Sequence, residues 1–356
     1  MGIFSLCAYA AVNSRIHYAK SLLLDGNEWR SLSGTDSLPA AMGNLSSTAL
    51  GESLSCAGGG GAGGDTVFLR DLEHSLHQTL IKNMLSHLRF LSGAPAESLI
   101  ELVRIYDLMN LKKAVRIEFG GRDRIGRLSV KFYDLGKYSI VSGEKWEEFA
   151  SGKIGRSLEG TCYGEDYRIG KNALDESGDI LRLETLLEKR YFTTLGEKLK
   201  KSGGYELLER YMNELTLMQM ARLRYHYKLE APAILPLLMM ELSGSFNEKV
   251  FSRLMEAGTE EAFFAALSRE KGWSGIDCSG MSECVRSLRK EMVRECRKIL
   301  KTASPMSFRP LLACFILKRQ ELRDVIAVLQ MKRFARGARD VLVTPQTLKG
   351  RDQGAN

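Results

Sequence analysis

This sequence predicts an all-α fold built from three copies of a helical unit, and three features carry the prediction. The first is a recurring pair of signatures. Leu72-Glu73-His74-Ser75-Leu76, Leu183-Glu184-Thr185-Leu186-Leu187 and Leu288-Arg289-Lys290-Glu291-Met292 share a leucine, a charged second residue and a closing apolar residue. Asp107-Leu108-Met109-Asn110-Leu111, Thr216-Leu217-Met218-Gln219-Met220 and Glu321-Leu322-Arg323-Asp324-Val325 follow them at offsets of 35, 33 and 33 residues. Self-similarity at a fixed interval marks a chain made by repetition, and copies about a hundred residues apart are whole domains rather than solenoid turns. The second feature is apolar spacing of three and four through the long segments, as a buried helix face requires. The third is the lack of a series of alternating strand-length segments.

In chain order, residues 10–24 read as a first helix ending near Asp25-Gly26. Residues 31–64 are rich in Ser, Gly and Ala, with six glycines among the seven positions 58–64. Such a composition buries too little apolar surface to offset ordering entropy, so a loop is expected over 31–64. Leu72, Leu76, Leu80, Met84, Leu88 and Leu91 form one face of a long helix that Gly93-Ala94-Pro95 breaks. Leu99, Val103, Tyr106, Asn110, Ala114 and Ile117 line the next, which stops at Gly120-Gly121. A short extended stretch over 128–133 leads to Gly136 and the end of the first unit.

The middle unit has a polar, Gly-containing segment over 151–178, then helices over 179–201 and 205–230 separated by Gly203-Gly204. The third carries a helix over 282–301 with Val285, Leu288, Met292, Cys296 and Ile299 on one stripe, and a last helix over 311–334. The expected units are 1–135, 136–242 and 243–340, with a flexible tail over 341–356.

The 356 residues are enough for two or three domains, each with its own core. Hydrophobic content of 44% and charged content of 26% are those of a folded chain rather than a disordered one. No apolar run approaches the length that crosses a bilayer. The apolar start with Ala8-Tyr9-Ala10 has no preceding Lys or Arg, which argues against a cleaved leader. Gly2 lacks the Ser or Thr of a myristoylation motif where Leu6 stands. Seven cysteines without a C-x-x-C pair argue for reduced thiols in a cytosolic compartment. A net charge of +8 admits an acidic partner, a nucleic acid or an anionic membrane surface.

No catalytic, cofactor or metal residue is expected. Gly58, Gly60 and Gly63 satisfy G-x-G-x-x-G, but no strand precedes them and Asp65-Thr66 follow where a phosphate loop needs Lys. His74 and His77 lie three apart with His87 further on, yet no thiolate or spaced carboxylate completes a zinc site, so a surface role is expected for them. Arg286, Arg289, Lys290, Arg294, Arg297 and Lys298, with Lys301, crowd one helix and outnumber the acids set among them, Glu291 and Glu295. That pattern is a solvated face or a docking surface for an acidic partner, reinforced by Lys332, Arg333, Arg336 and Arg339. It has neither the interleaved aromatics of a single-strand platform nor a duplex-reading motif. Asn110 and Gln219 fall on or beside apolar faces, and because a buried amide is costly unless bonded, each is expected to hydrogen-bond a neighbouring helix.

Tyr9-Ala10 with Arg15, Tyr106-Asp107-Leu108 with Asn110-Leu111-Lys112, and Phe132-Tyr133-Asp134-Leu135-Gly136 occur in that order. Leu183-Glu184 with Leu187 and Arg190-Tyr191-Phe192, then Glu321-Leu322-Arg323-Asp324-Val325, complete the series. From about residue 5 to 336 this order and spacing resembles the C-type subunits of the V/A-type rotary ATPases, equivalent to the d-type subunits of the eukaryotic V-ATPases. Thr216 and Asp324 depart from the acid and the Asn of that pattern, and the glycine-rich loop stands as an insertion. The resemblance implies a funnel-shaped, all-helical protein of three pseudo-symmetric bundles, without catalysis or cofactor. It would take the rotor shaft at the foot of the central stalk and rest on the proteolipid ring. Its partners would then be the central-shaft subunits and the ring, with no nucleic acid, and membrane association on the cytoplasmic face only through the ring. A basic helical-repeat nucleic-acid-binding protein is the alternative reading.

Overall fold

A computed structural model of the chain describes residues 3–56, 64–119, 130–141, 146, 154–178, 180–273 and 275–334, and among these there is no strand. The chain divides into two compact units, one formed by Met1–Ser92 with Val285–Asn356 and one by Gly93–Cys284.

The first unit begins with α1 (Ile3–Ser21), α2 (Gly26–Gly34), α3 (Leu38–Ser46), α4 (Gly51–Cys56) and α5 (Gly64–Leu85). The second contains α6 (Gly93–Val103), α7 (Ile105–Phe119), α8 (Ile154–Leu158), α9 (Gly164–Ser177) and α10 (Ile180–Ser202). It continues through α11 (Tyr205–Ala221), α12 (Glu248–Met255) and α13 (Glu260–Leu267). The chain returns to the first unit along α14 (Met281–Thr302) and ends its described part with α15 (Arg309–Arg333).

Within residues 31–64, expected as a loop, α3 and α4 are helical. Local capping overrides the poor composition. Asp25 starts α2 with a reciprocal box, its Oδ1 accepting from Asn27 N at 2.7 Å and Glu28 N at 2.8 Å while Glu28 Oε2 accepts from Asp25 N at 2.7 Å. Ser37 caps α3, whose first turn contains Pro39. The few apolar residues fall three and four apart, and Leu38, Ala41 and Leu45 are buried. The glycine tract over 57–63 and the tail over 341–356 lie outside the described residues.

In the first unit α15 packs against both α1 and α5. Its buried residues include Leu311, Phe315, Leu322, Val325, Val328 and Leu329, and a helix apolar on nearly every side belongs in an interior. In the second unit α10 is central, packed on α6, α7, α9 and α11. Its close approach to α9 requires Gly170, where a Cβ would lie 2.5 Å from Leu183 Cδ1 and 2.9 Å from Leu183 Cα. The helix expected over 205–230 keeps α geometry only to Ala221, then widens through Arg222–His226. Lys228 at φ 56° ends it, in the left-handed region that helices do not enter.

Candidate functional site

Three helices hold loops distant in sequence through polar side chains. On α7, Asp107 is 1% exposed, its Oδ1 accepting from Ser139 Oγ at 2.7 Å and its Oδ2 from Ile140 N at 2.8 Å. On α11, half-buried Asn213 accepts at Oδ1 from Ser243 Oγ at 2.5 Å and Ser245 N at 3.1 Å, and donates to Ser245 Oγ at 2.9 Å. On α15, fully buried Glu321 accepts at Oε1 from Leu24 N at 2.6 Å. Lys318 joins that last loop by donating to Leu22 O at 2.9 Å and Glu321 Oε2 at 3.3 Å. Soon after each held loop the chain buries a large aromatic: Trp146, Phe251 and Trp29 respectively.

In α11 the loop-binding role falls to Asn213 and not to Thr216, the residue that the sequence signature aligns with Asp107 and Glu321. Residues three apart share a helix face, so the polar group has moved by one turn. Thr216 is itself buried, and its Oγ1 has no hydrogen-bond partner among the described residues.

Asn110, one turn beyond Asp107, is fully buried and pairs with a backbone as a strand would. Its Nδ2 donates to Tyr133 O at 2.8 Å and its Oδ1 accepts from Tyr133 N at 2.8 Å. The partner is thus the extended stretch near 133 rather than a helix. The Asn110→Ala variant, by orphaning both Tyr133 groups, is expected to lose about 1–3 kcal/mol, read from the denaturant midpoint. An unmoved midpoint would show the pairing to be dispensable.

Gln219 is half-buried and donates to Glu188 Oε2 on α10 at 3.3 Å. It is less buried than its sequence position suggests because its side of α11 faces a cavity of about 460 Å³. Lys112 and Arg116 of α7 reach the same cavity. Lys112 Nζ lies 2.6 Å from Glu188 Oε1 and 3.3 Å from Glu184 Oε2, while Arg116 grips Glu184 with Nε at 2.5 Å and Nη2 at 2.8 Å. Burial pushes the Glu184 carboxyl up, but the Arg116 fork and the Lys112 charge together hold it below its ordinary value. All four carboxylate oxygens of Glu184 and Glu188 are engaged, so the cluster pins α7 and α11 to α10.

The basic candidates lie along α14. Val285, Met292, Val293, Cys296, Ile299 and Leu300 are buried, whereas Arg294 and Lys298, one turn apart, are exposed. Arg286, Arg289, Lys290 and Arg297 are half-exposed on its flanks. Glu295, 3.9 Å from Lys298, stands beside the exposed pair as a loose counter-charge. Lys332, expected to add to the basic face, instead donates to Ser33 O at 2.7 Å and fastens α15 to the end of α2. Arg336 and Arg339 lie outside the described residues.

The family described as ATP synthase (C/AC39) subunit matches residues 12–337. The chain belongs to that family, which comprises the C- and d-type subunits of the V/A-type ATPases. Comparison with curated proteins returns no match. Among the described residues of this C/AC39 subunit, no helix is long and apolar enough to cross a membrane. Nor is any group of three or more His, Cys, Asp or Glu placed to hold a metal ion.

Two histidines expected at the surface are buried, His77 at 8% and His87 at 3% exposure. They fall on the core side of the helix α5 and of the turn that follows it. Burial first, then the nearby charges of Arg15 and Arg89, hold His87 neutral with a pKa of about 4. Asn213 was not among the residues expected from sequence, although an N-capping Asn247 and buried Phe251 downstream parallel Asp25 and Trp29, a signal present in the sequence.

Proposed function

We propose that this C/AC39 subunit is a non-catalytic rotor element of the central stalk, coupling the shaft to the membrane proteolipid ring. The observation that carries this reading is the family match over nearly the whole chain, joined to the use of the buried carboxylates. Asp107, Glu184 and Glu321 are each taken up by internal hydrogen bonds that hold loops or helices in place, which suits a part that transmits force rather than one that turns over a substrate. Docking on the other rotor subunits proceeds through large surfaces, with the exposed face of α14 as the proposed contact for an acidic partner and membrane association only through the ring.

The three-copy organisation belongs to the same proposal. The holding side chains Asp107, Asn213 and Glu321 stand at nearly equal intervals along the chain. The loops they hold, near 140, 244 and 24, open the units expected over 136–242, 243–340 and 1–135. A duplicated helix-to-loop bond would recur in this way.

Charge reversal tests the docking face. In the Arg294→Glu, Lys298→Glu variant the fold should survive, since both side chains are exposed, while co-purification with the shaft and ring subunits falls. Wild-type recovery should fall with added salt, because exposed charges are screened beyond about 10 Å at 0.1 M. Equal recovery of both proteins at low and high salt would overturn the docking face. Tight binding of wild type to a single-stranded oligonucleotide, lost in the variant, would instead favour the nucleic-acid reading.

A further inference from the structure

Two cysteines separated by five residues in sequence are brought into contact by the turn that precedes α14. The Sγ atoms of Cys278 and Cys284 lie 3.2 Å apart, both as free thiols. Cys284 is in the first turn of α14, where its N–H donates to Gly280 O at 2.9 Å. Cys278 sits in a turn whose Asp277 and Ser279 are exposed and which is tightened by Ser279 N donating to Asp277 Oδ1 at 3.1 Å. Both cysteines are buried, Cys278 at 8% exposure and Cys284 at none, so Cys278 is the nearer of the two to solvent.

We propose that Cys278 and Cys284 form a reversible redox dithiol, oxidised by hydroperoxides to an intramolecular disulfide that seals the turn leading into α14. The two sulfurs have different parts. The hydrogen bond between the two sulfurs holds the Cys278 thiol below its ordinary value, although burial and the Asp277 charge oppose it. The same bond, with burial, drives the Cys284 thiol up. Cys278 is therefore the sulfur that reacts as a thiolate, and the positive end of α14 favours that charge. Cys278 Sγ attacks the peroxide, an S–O bond forms as the O–O bond breaks, and the proton lost by the thiol leaves with the departing oxygen as water or alcohol. Cys284 Sγ then attacks the sulfenic sulfur of Cys278. The S–S bond forms as the S–O bond breaks, and the Cys284 proton leaves with the hydroxyl as water. One equivalent of peroxide is reduced by two electrons, which the two thiols supply.

Cys162 and Cys314 are differently placed. Cys162 is exposed, yet burial of its sulfur raises its thiol, and Cys314 is buried with its thiol pushed up to about 11. Neither is positioned as Cys278 is, beside a second sulfur that lowers its proton affinity.

The test uses the purified full-length chain, treated with near-stoichiometric hydrogen peroxide, alkylated and digested with trypsin. No Lys or Arg lies between the two cysteines, so both fall in the tryptic peptide 272–286. The expected product is that peptide, unalkylated and lighter by two hydrogens, restored to the doubly alkylated form by dithiothreitol. Cys278→Ser should abolish the product, and the near-isosteric change keeps the fold; Cys162→Ser should leave the product unchanged. Amide exchange over 275–284 should slow in the oxidised chain and recover on reduction. The proposal is overturned if peptide 272–286 stays doubly alkylated while Cys162 oxidises, or if Cys278 proceeds to sulfinic acid without a disulfide. A disulfide that leaves exchange over 275–284 unchanged would overturn the seal.

Discussion

Replacing Glu321 by Ala is expected to destabilise the first unit by about 3–5 kcal/mol, the usual result of removing one partner of a buried ionic contact. The loss has two sources. Leu24 N–H, bonded at 2.6 Å in the native fold, is left without its acceptor, and Lys318, its side chain 14% exposed, loses its counterion. Glu321→Gln keeps an acceptor for Leu24 and removes a carboxylate whose burial, opposed by the Lys318 charge, already raises its pKa. It leaves Lys318 without its counterion as Ala does, so it should be more stable than Glu321→Ala by about 0.5–1.5 kcal/mol, the net worth of the hydrogen bond it keeps. Denaturant midpoints of the two variants, with amide exchange at Leu24 as a local readout, make the comparison. Equal losses would mean that the charge facing Lys318, rather than the Leu24 hydrogen bond, keeps Glu321 in place.

The second large effect is a pH dependence centred on Asp107. Burial, opposed by the Ile140 and Ser139 bonds and the charge of Arg104 and aided by that of Glu101, raises its pKa from 3.8 to about 7. Tyr163 is the other titratable group in its electrostatic reach. A carboxyl with a raised folded pKa binds more protons folded than unfolded, so its contribution to stability falls as pH rises from about 4 to about 7. At about 1.4 kcal/mol per tenfold change in proton affinity, that is up to about 4 kcal/mol.

Asp107→Asn removes the titration and keeps the bonds, as Asn213 does at its own loop, accepting from a backbone N–H and donating to a serine hydroxyl. The variant should match or fall below wild type near pH 4 and exceed it near pH 8. His87 acts with the opposite sign. Its lowered pKa makes stability rise with pH between about 4 and 6.5, and so the wild-type curve alone hides both effects. The difference between wild type and variant across pH isolates Asp107, and a flat difference would show that its carboxyl is ionised throughout.

Much of the fold is legible in the chain because it is local. Apolar spacing locates α10, α14 and α15 to within a few residues, and it puts Asn110 on a buried face. The short helices within 31–56 escape such a reading because composition averages over a window in which a capping box and a capping serine decide the outcome. Asn213 escapes it because the repeated signature aligns on Thr216, and one-dimensional matching cannot distinguish residues one helical turn apart on a shared face.

The sequence by itself determined the helical class, the long helices, the family and the amphipathic basic helix, since each rests on patterns read over neighbouring residues. Tertiary structure alone decided that both ends of the chain share one compact unit, that His77 and His87 are interior, and that Cys278 meets Cys284. It also decided that Glu321 finds its backbone partner 297 residues away at Leu24. The physical reason is that side-chain periodicity reports which face of an element avoids water, whereas a buried polar group is satisfied by whichever backbone the packed chain brings within about 3 Å.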